Sequence, residues 1–280
     1  MTAESPQQLL RRLGLKPKKD WGQNFLGDDE ILARIADEAM LVAGDVCLEL
    51  GAGLGHLTRH LVATGARVVA VERDRDLVAA LEAQQLEGVT VLAANAADLD
   101  FAKAANADQV IVVGNLPYHL TSPILFEVLD QAAHVPRALF TLQKEVVVRL
   151  SAEPGNRDYG LLTVLLGLRF HVEHCFDVSA GHFTPPPKVD SAVVRLARRK
   201  VLRAEVVSEA RFRRVVKASF AQRRKTLSNS LKSDQQLLEG VELPAVLAAA
   251  AIDGMRRAET LSVEEFAAIE RALPLPASGR

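Results

Sequence analysis

The sequence predicts an α/β protein: a doubly wound sheet over residues 28 to 196, followed by a second, smaller all-α segment. Three features lead there. Short apolar runs alternate with amphipathic helical patterns, a glycine-rich turn closes the first of those runs, and strand-like alternation stops after Arg198-Arg199-Lys200. In chain order the candidate strands are DVCLEL (45 to 50), RVVAVE (67 to 72), GVTVLA (88 to 93), QVIVVG (109 to 114) and RALFTL (137 to 142). Two later runs, HVEHCFDV (171 to 178) and SAVVRLA (191 to 197), alternate like an antiparallel edge pair. From about Ser208 to Leu273 the pattern is helical, and Ser262 with Glu265 forms a capping box for the last helix before a loose LPLPASGR tail. The boundary is placed near residue 200, with domains of 1–200 and 201–280.

With 280 residues, 49% hydrophobic and 25% charged, the chain can bury a substantial core and fill two domains. The longest apolar stretch, LLTVLLGL at 161 to 168, is far too short to span a bilayer, so a soluble cytoplasmic protein with no membrane partner is expected. Cys47 and Cys175 lack CxxC spacing and imply neither a disulfide framework nor a metal site. Net charge is only −1, but residues 195 to 225 hold twelve Lys or Arg against two Glu. Three basic runs, KPKK (16 to 19), RRKVLR (198 to 203) and QRRK (222 to 225), favour an anionic partner over a merely solvated helix face.

The first strand ends in ELGAGLGHLT, Glu49 to Thr58, where Gly51, Gly53 and Gly55 allow a tight turn and close approach of a ligand. The second strand ends in Glu72, a carboxylate able to accept both hydroxyls of an adenosine ribose. A dinucleotide and S-adenosylmethionine both fit that frame. The third glycine comes one residue early for GxGxxG, which favours S-adenosylmethionine, a cofactor without a pyrophosphate. After the third strand, Asn95 is expected to face the cofactor's adenine, with Asp98 as the alternative and a turn or cap as the plain structural role.

The fourth strand ends in Asn115-Leu116-Pro117-Tyr118, where Pro117 keeps Leu116 extended and the segment is presented as a loop. Thr121 as N-cap with Pro123 in the first turn is the ordinary structural account of the same stretch. An exocyclic amine of adenine is a poor nucleophile because its lone pair is spread into the ring. Acceptors at the Asn115 side chain and the Leu116 carbonyl would hold both N–H groups and leave a pyramidal nitrogen. Tyr118 would stack on a base turned out of its helix and face the developing cation.

These segments, together with WGQNFL (21 to 26), LQKEV (142 to 146), FTPPPKVDSAVVRL (183 to 196), FAQRRKTLSNSL (220 to 231) and MRRAETLS (255 to 262), resemble the small-subunit ribosomal RNA adenine N6,N6-dimethyltransferases, the kasugamycin-resistance family. The resemblance spans nearly the whole chain. It implies a Rossmann-like S-adenosylmethionine-dependent methyltransferase sheet and two methylations on each of two adjacent adenines in a hairpin loop near the 3′ end of 16S rRNA, in an immature small subunit; a monomer is expected, although the sequence does not reveal the oligomeric state. It implies that Asn24 and Leu26 cover the cofactor, Gly51 contacts its methionine part, Glu72 holds its ribose and residue 95 its adenine, with Gly53 also counted as cofactor-binding. Asn115 sits by the methyl group, and Phe183 forms an aromatic wall opposite Tyr118. In three places the chain departs from the family pattern: Trp21 stands for the usual Phe, His119 for Asn or Tyr, and Asn95 for Asp, so that Asn95→Asp is expected to tighten cofactor binding modestly. Arg223, Arg224 and Lys225, with Lys16, Lys18 and Lys19 from the other end, are expected to contact RNA phosphates. Alternatives are a nonenzymatic ribosome-assembly factor on the same fold, a nicotinamide-dependent dehydrogenase, and a large-subunit rRNA adenine methyltransferase.

Overall fold

A computed structural model describes residues 4–274; the side chain of Lys19 and the tail residues 275–280 lie outside the described residues. Nine strands follow in chain order: β1 (Phe25–Leu26), β2 (Val46–Leu50), β3 (Arg67–Glu72), β4 (Val89–Ala93), β5 (Ile111–Asn115), β6 (Arg137–Gln143), β7 (Phe170–Val178), β8 (Phe183–Thr184) and β9 (Ser191–Arg198). The seven longer strands form one sheet in the order β4-β3-β2-β5-β6-β9-β7. β2, β3, β4, β5 and β6 pair in parallel, and β9 joins β6 antiparallel. The strands therefore fall within two residues of the runs expected from the sequence, including the antiparallel edge.

From β2 the chain winds outward through β3 to β4, then returns to the other side of β2 as β5. That reversal opens a crevice beyond the carboxyl ends of β2 and β5, where α/β sheets take their ligands. The sheet is buried through its middle: Leu48, Val68, Val112 and Val193 are fully sequestered, as expected for strands covered on both faces.

Two details depart from the sequence expectations. Phe25–Leu26 and Phe183–Thr184 pair antiparallel as a separate ribbon, with Leu26 opposite Phe183. The helix after β5 spans Thr121–Asp130 with Leu120 at its N-cap; Thr121 is inside the helix, and its buried hydroxyl has no hydrogen-bond partner among the described residues.

By internal contacts the chain divides into two compact units, 1–147 with 172–198 and 148–171 with 199–280. Residues 148–171, assigned by sequence to the first domain, thus group with the helical one. The reason is the helix Leu161–Arg169, whose Thr163 to Leu168 side chains are buried and whose Arg169 pairs with Glu209. In this second unit Glu270, fully buried, accepts from the backbone N–H of Val207 and Ser208 and from Arg211 Nε at 2.7 Å. Ser262 and Glu265 form the expected reciprocal cap on the helix Val263–Ala272.

Candidate functional site

The crevice at the switch point is a cleft of about 850 Å³, open mouth included, entirely within the first unit. Gly51 and Gly53 turn beneath it with φ of +75° and +58°, a backbone region that side-chain-bearing residues rarely adopt. A Cβ on Gly53 would also come within 3.2 Å of the Phe25 ring. The turn is pinned to the neighbouring strand by Gly51 and Ala52 N–H, both donating to the Val71 carbonyl.

Glu72 closes β3 at 7% exposure. Its Oε2 accepts from Gly53 N–H at 2.9 Å, while Oε1 accepts from Arg73 and Asp74 N–H at 2.8 and 2.9 Å. Burial raises its pKa against the pull of those three donors. A carboxylate offers about four acceptor directions, so room remains for ligand hydroxyls.

At the end of β5, Asn115 Nδ2 donates to the Asn24 carbonyl at 3.1 Å. A carbonyl can only accept, so the amide nitrogen is the donor here, and Oδ1 has no hydrogen-bond partner among the described residues. Leu116 is buried at 2% exposure, with its N–H given to the Thr141 carbonyl at 3.3 Å. Pro117 borders the cleft, and Tyr118 does so with its hydroxyl 2.9 Å from Ser191 Oγ, a contact that fixes its ring; burial raises its pKa. Phe183 borders the same cleft at 4% exposure while packing in the core cluster with Leu26 and Ile35. Asn24 and Leu26 complete the wall.

Asn95 and Asp98 are not brought there. Both are exposed; Asn95 Nδ2 donates to Asp98, and its Oδ1 caps the short turn at Ala97 N–H. His119 is exposed as well. Glu49 and Trp21 border the cleft too, without a site role assigned to them in the sequence reading. Glu49, at 2% exposure, accepts from Thr58 Oγ1 and has its pKa pushed up to about 8, chiefly by burial with Glu72 adding to it. Trp21 lies under the Arg73 guanidinium at 3.9 Å, with Lys18 Nζ at 5.0 Å.

The basic runs resolve unequally. Lys18 is held by Asp74 at 2.6 Å and Asp76 at 3.0 Å, so a phosphate would have to displace both carboxylates. Of the twelve cations between 195 and 225, Arg195, Arg203, Arg211 and Arg214 are paired with carboxylates. Arg224 and Lys225 are exposed in the turn before the helix Leu227–Leu231, beside Arg223, which donates to the Arg157 carbonyl. Lys16 is exposed too.

A cleft whose acidic wall is Glu72, closing β3, suits a ligand that brings hydroxyl or N–H donors. Residues 14–270 match the family described as Ribosomal RNA adenine dimethylase. The chain belongs to that family. Among relatives it is 64% identical over 270 residues to Ribosomal RNA small subunit methyltransferase A of Myxococcus xanthus (strain DK1622), covering 96% of this chain and 95% of that one. It is 53% identical over 279 residues to the protein of the same name from Anaeromyxobacter sp. (strain K), covering 96% and 98%. Among solved structures, the 23S rRNA methyltransferase ErmE matches with a TM-score of 0.68 at 27% identity, over 89% of this chain and 99% of that one. A dimethyladenosine transferase from Plasmodium falciparum matches in fold, with a TM-score of 0.74 at 23% identity over 88% and 95%. Among the described residues no helix is long and apolar enough to cross a membrane, and no group of three His, Cys, Asp or Glu could hold a metal ion.

Proposed function

We propose that the chain methylates N6 of two adjacent adenines near the 3′ end of 16S rRNA, twice each, using S-adenosylmethionine. It acts in the cytoplasm as a monomer on an immature small subunit. Names and homology support the substrate; the hydrogen bond from Asn115 Nδ2 to the Asn24 carbonyl carries the chemistry, because it commits the amide nitrogen of a cleft-lining residue and leaves its oxygen as the acceptor.

S-adenosylmethionine supplies a methyl group on a sulfonium sulfur. Asn24 and Leu26 would cover it, Gly51 and Gly53 would let its amino-acid part approach the turn, and Glu72, its own geometry set by three backbone donors, would accept its ribose hydroxyls. Asn115 Oδ1 and the Leu116 carbonyl each accept one N–H of the target adenine. Held that way, the nitrogen would keep its lone pair out of the ring; as its bond to the methyl carbon forms, the C–S bond would break to leave a neutral thioether, and no strong base is required because the amine becomes acidic only then and its proton passes to solvent. Tyr118, its hydroxyl tied to Ser191, presents a fixed ring for stacking, and Phe183 bounds the base from its own side of the cleft. The catalytic contribution is positioning and electrostatics. In the helical unit, Arg224, Lys225 and Arg223 follow the RNA backbone, with Lys16 as a contact from the first unit.

The test is incubation with isotopically labelled S-adenosylmethionine and small subunits lacking these methyl groups, followed by mass spectrometric mapping. Two adjacent N6,N6-dimethyladenosines in 16S rRNA are expected. Label confined to 23S rRNA, or no label at all, rejects the proposal.

A further inference from the structure

The β1–β8 ribbon borders two hollows, of which the scheme above uses one. Phe25, Leu26 and Phe183 face the cleft, whereas Thr184, opposite Phe25 in the ribbon, and Pro185 border a groove of about 780 Å³, open mouth included, also within the first unit. The groove's other wall is the helix Pro6–Leu13 and the turn that follows it. Ser5 and Gln8 start that helix with a reciprocal cap, and Gly14 ends it at a φ of +67°. The chain then folds back, Leu15 N–H donating to the Leu10 carbonyl at 2.9 Å, which brings both leucines to the groove. Leu9 and Leu10 pack with Phe25, Leu54 and Leu77, so the wall is fastened to the ribbon before any ligand arrives. The cations at this end of the chain are unequally committed. Arg12 pairs with Glu4 and Lys18 with Asp74 and Asp76, but Arg11 and Lys16, which border the groove, are exposed and have no carboxylate partner among the described residues. Among the described residues no acid borders the groove, and the exposed amide of Gln7 does.

We propose that this groove receives the adenine next to the one being methylated, and so holds the RNA strand in register at the cleft. The inference rests on the two-adenine reading above. Apolar walls with two free cations and no acid fit a base flanked by phosphates: the ring packs on Leu10, Leu15 and Pro185, and Arg11 and Lys16 meet the backbone. A glutamine amide accepts from N6 of adenine while donating to N7, a pairing that neither guanine nor a pyrimidine offers, so Gln7 selects the base. From Phe183 to Pro185 extended chain advances about 6.6 Å, within the reach of one nucleotide step, so a base in the groove can be the direct neighbour of a base in the cleft. A strand has polarity, and the groove lies to one side of the cleft. It therefore serves one of the two registers, and the adenine whose neighbour fills it reacts faster.

The test uses small subunits reconstituted from unmethylated 16S rRNA that carries both adenines, or uridine in place of one or the other. Single-turnover transfer from labelled S-adenosylmethionine is read at each adenine that remains. Uridine is expected to slow transfer about tenfold at one of the two positions, the loss of one bidentate base contact, and to spare the other. Gln7→Ala should slow that same position to a similar extent on the unaltered substrate, after which uridine costs nothing more. Arg11→Gln combined with Lys16→Gln should reduce the slope of log RNA affinity against log salt by about 1.4, at roughly 0.7 per contact. A uridine penalty at neither position, a penalty that Gln7→Ala leaves in full, or an unchanged salt slope in the double variant overturns the groove while leaving the methylation intact. Transfer to neither adenine of the unaltered substrate overturns the functional reading itself and this inference with it.

Discussion

The carboxyl ends of β3 and β4 lie side by side in register, Glu72 opposite Ala93, yet the residues that the sequence reading assigns to the cofactor at those ends are held in opposite ways. Glu72 is buried and tied to Gly53, nineteen positions back along the chain. Asn95 is exposed, and among the described residues its side chain bonds to Asp98 and Ala97, within its own turn. Asn115, on β5, belongs with Glu72, since its amide is anchored 91 residues away at Asn24. A side chain clamped by distant backbone is oriented before the ligand arrives, whereas one satisfied locally must first give up its partners.

The sharpest break of that comparison is at Asn115. Asn115→Ala removes the preoriented acceptor while sparing the glycine turn, so methyl transfer should fall about 10²- to 10³-fold, the usual cost of losing one preorganised hydrogen-bonding group. Single-turnover rates measured at saturating cofactor check this; a loss confined to cofactor affinity would show that Asn115 binds rather than orients.

Next is Glu72. Glu72→Ala should weaken cofactor binding roughly 10- to 100-fold, as expected for hydrogen bonds to a charged group. It should also destabilise the protein by about 1–3 kcal/mol, because Gly53, Arg73 and Asp74 N–H lose their acceptor. Calorimetry and denaturant titration read the two effects separately. A variant that loses affinity but no stability would mean that water replaces the carboxylate at the three donors.

Glu49 gives the comparison a pH dependence. Its folded pKa, about 8, is raised above the unfolded value, so the stability linked to this group is complete below about pH 4.5 and declines as pH rises toward 8. In the cofactor-free protein Glu49→Gln should therefore raise the Tm at pH 7 relative to wild type, by a free energy of at most about 3 kcal/mol, and the gain should vanish near pH 4. Equal melting curves at both pH values would place the proton elsewhere.

The same contrast between tied and free groups divides the basic runs. KPKK and QRRK read alike in the sequence, but Lys18 is committed to Asp74 and Asp76, whereas Arg224 and Lys225 stand exposed. Neutralising Arg223, Arg224 and Lys225 together should reduce the slope of log affinity against log salt by about 2, at roughly 0.7 per single-strand phosphate contact. Lys18→Gln should leave the slope unchanged. Equal slopes for the two variants would show that RNA prises Lys18 from its carboxylates.

What could be read from the sequence follows the same division. The strands were legible because β-branched apolar runs in a doubly covered sheet are nearly continuous, and the switch-point crevice followed from their order. Glu72 and Asn115 were legible because each closes such a run. The β1–β8 ribbon was not, since two residues per strand carry no periodicity. Glu49 looked like one more residue of a strand before the glycines, and only burial against Thr58 and Glu72 reveals it. Counting charges overstated the basic surface, because pairing partners such as Glu38 for Arg195 and Asp234 for Arg214 lie far off in sequence or past a turn.

The smallest effect tests the comparison most directly. The family's usual residue at position 95 is acidic, and on that ground Asn95→Asp should tighten cofactor binding. In this structure the substitution instead sets two carboxylates against each other in an exposed turn, where such repulsion amounts to about 0.2–1 kcal/mol and does not reach the cleft. Affinity should then change by less than about threefold, and Asp98→Ala should leave it equally unmoved. If Asn95→Asp tightens binding beyond that, the turn after β4 folds over the adenine when cofactor enters, and the difference between the two strand ends is a property of the free protein alone.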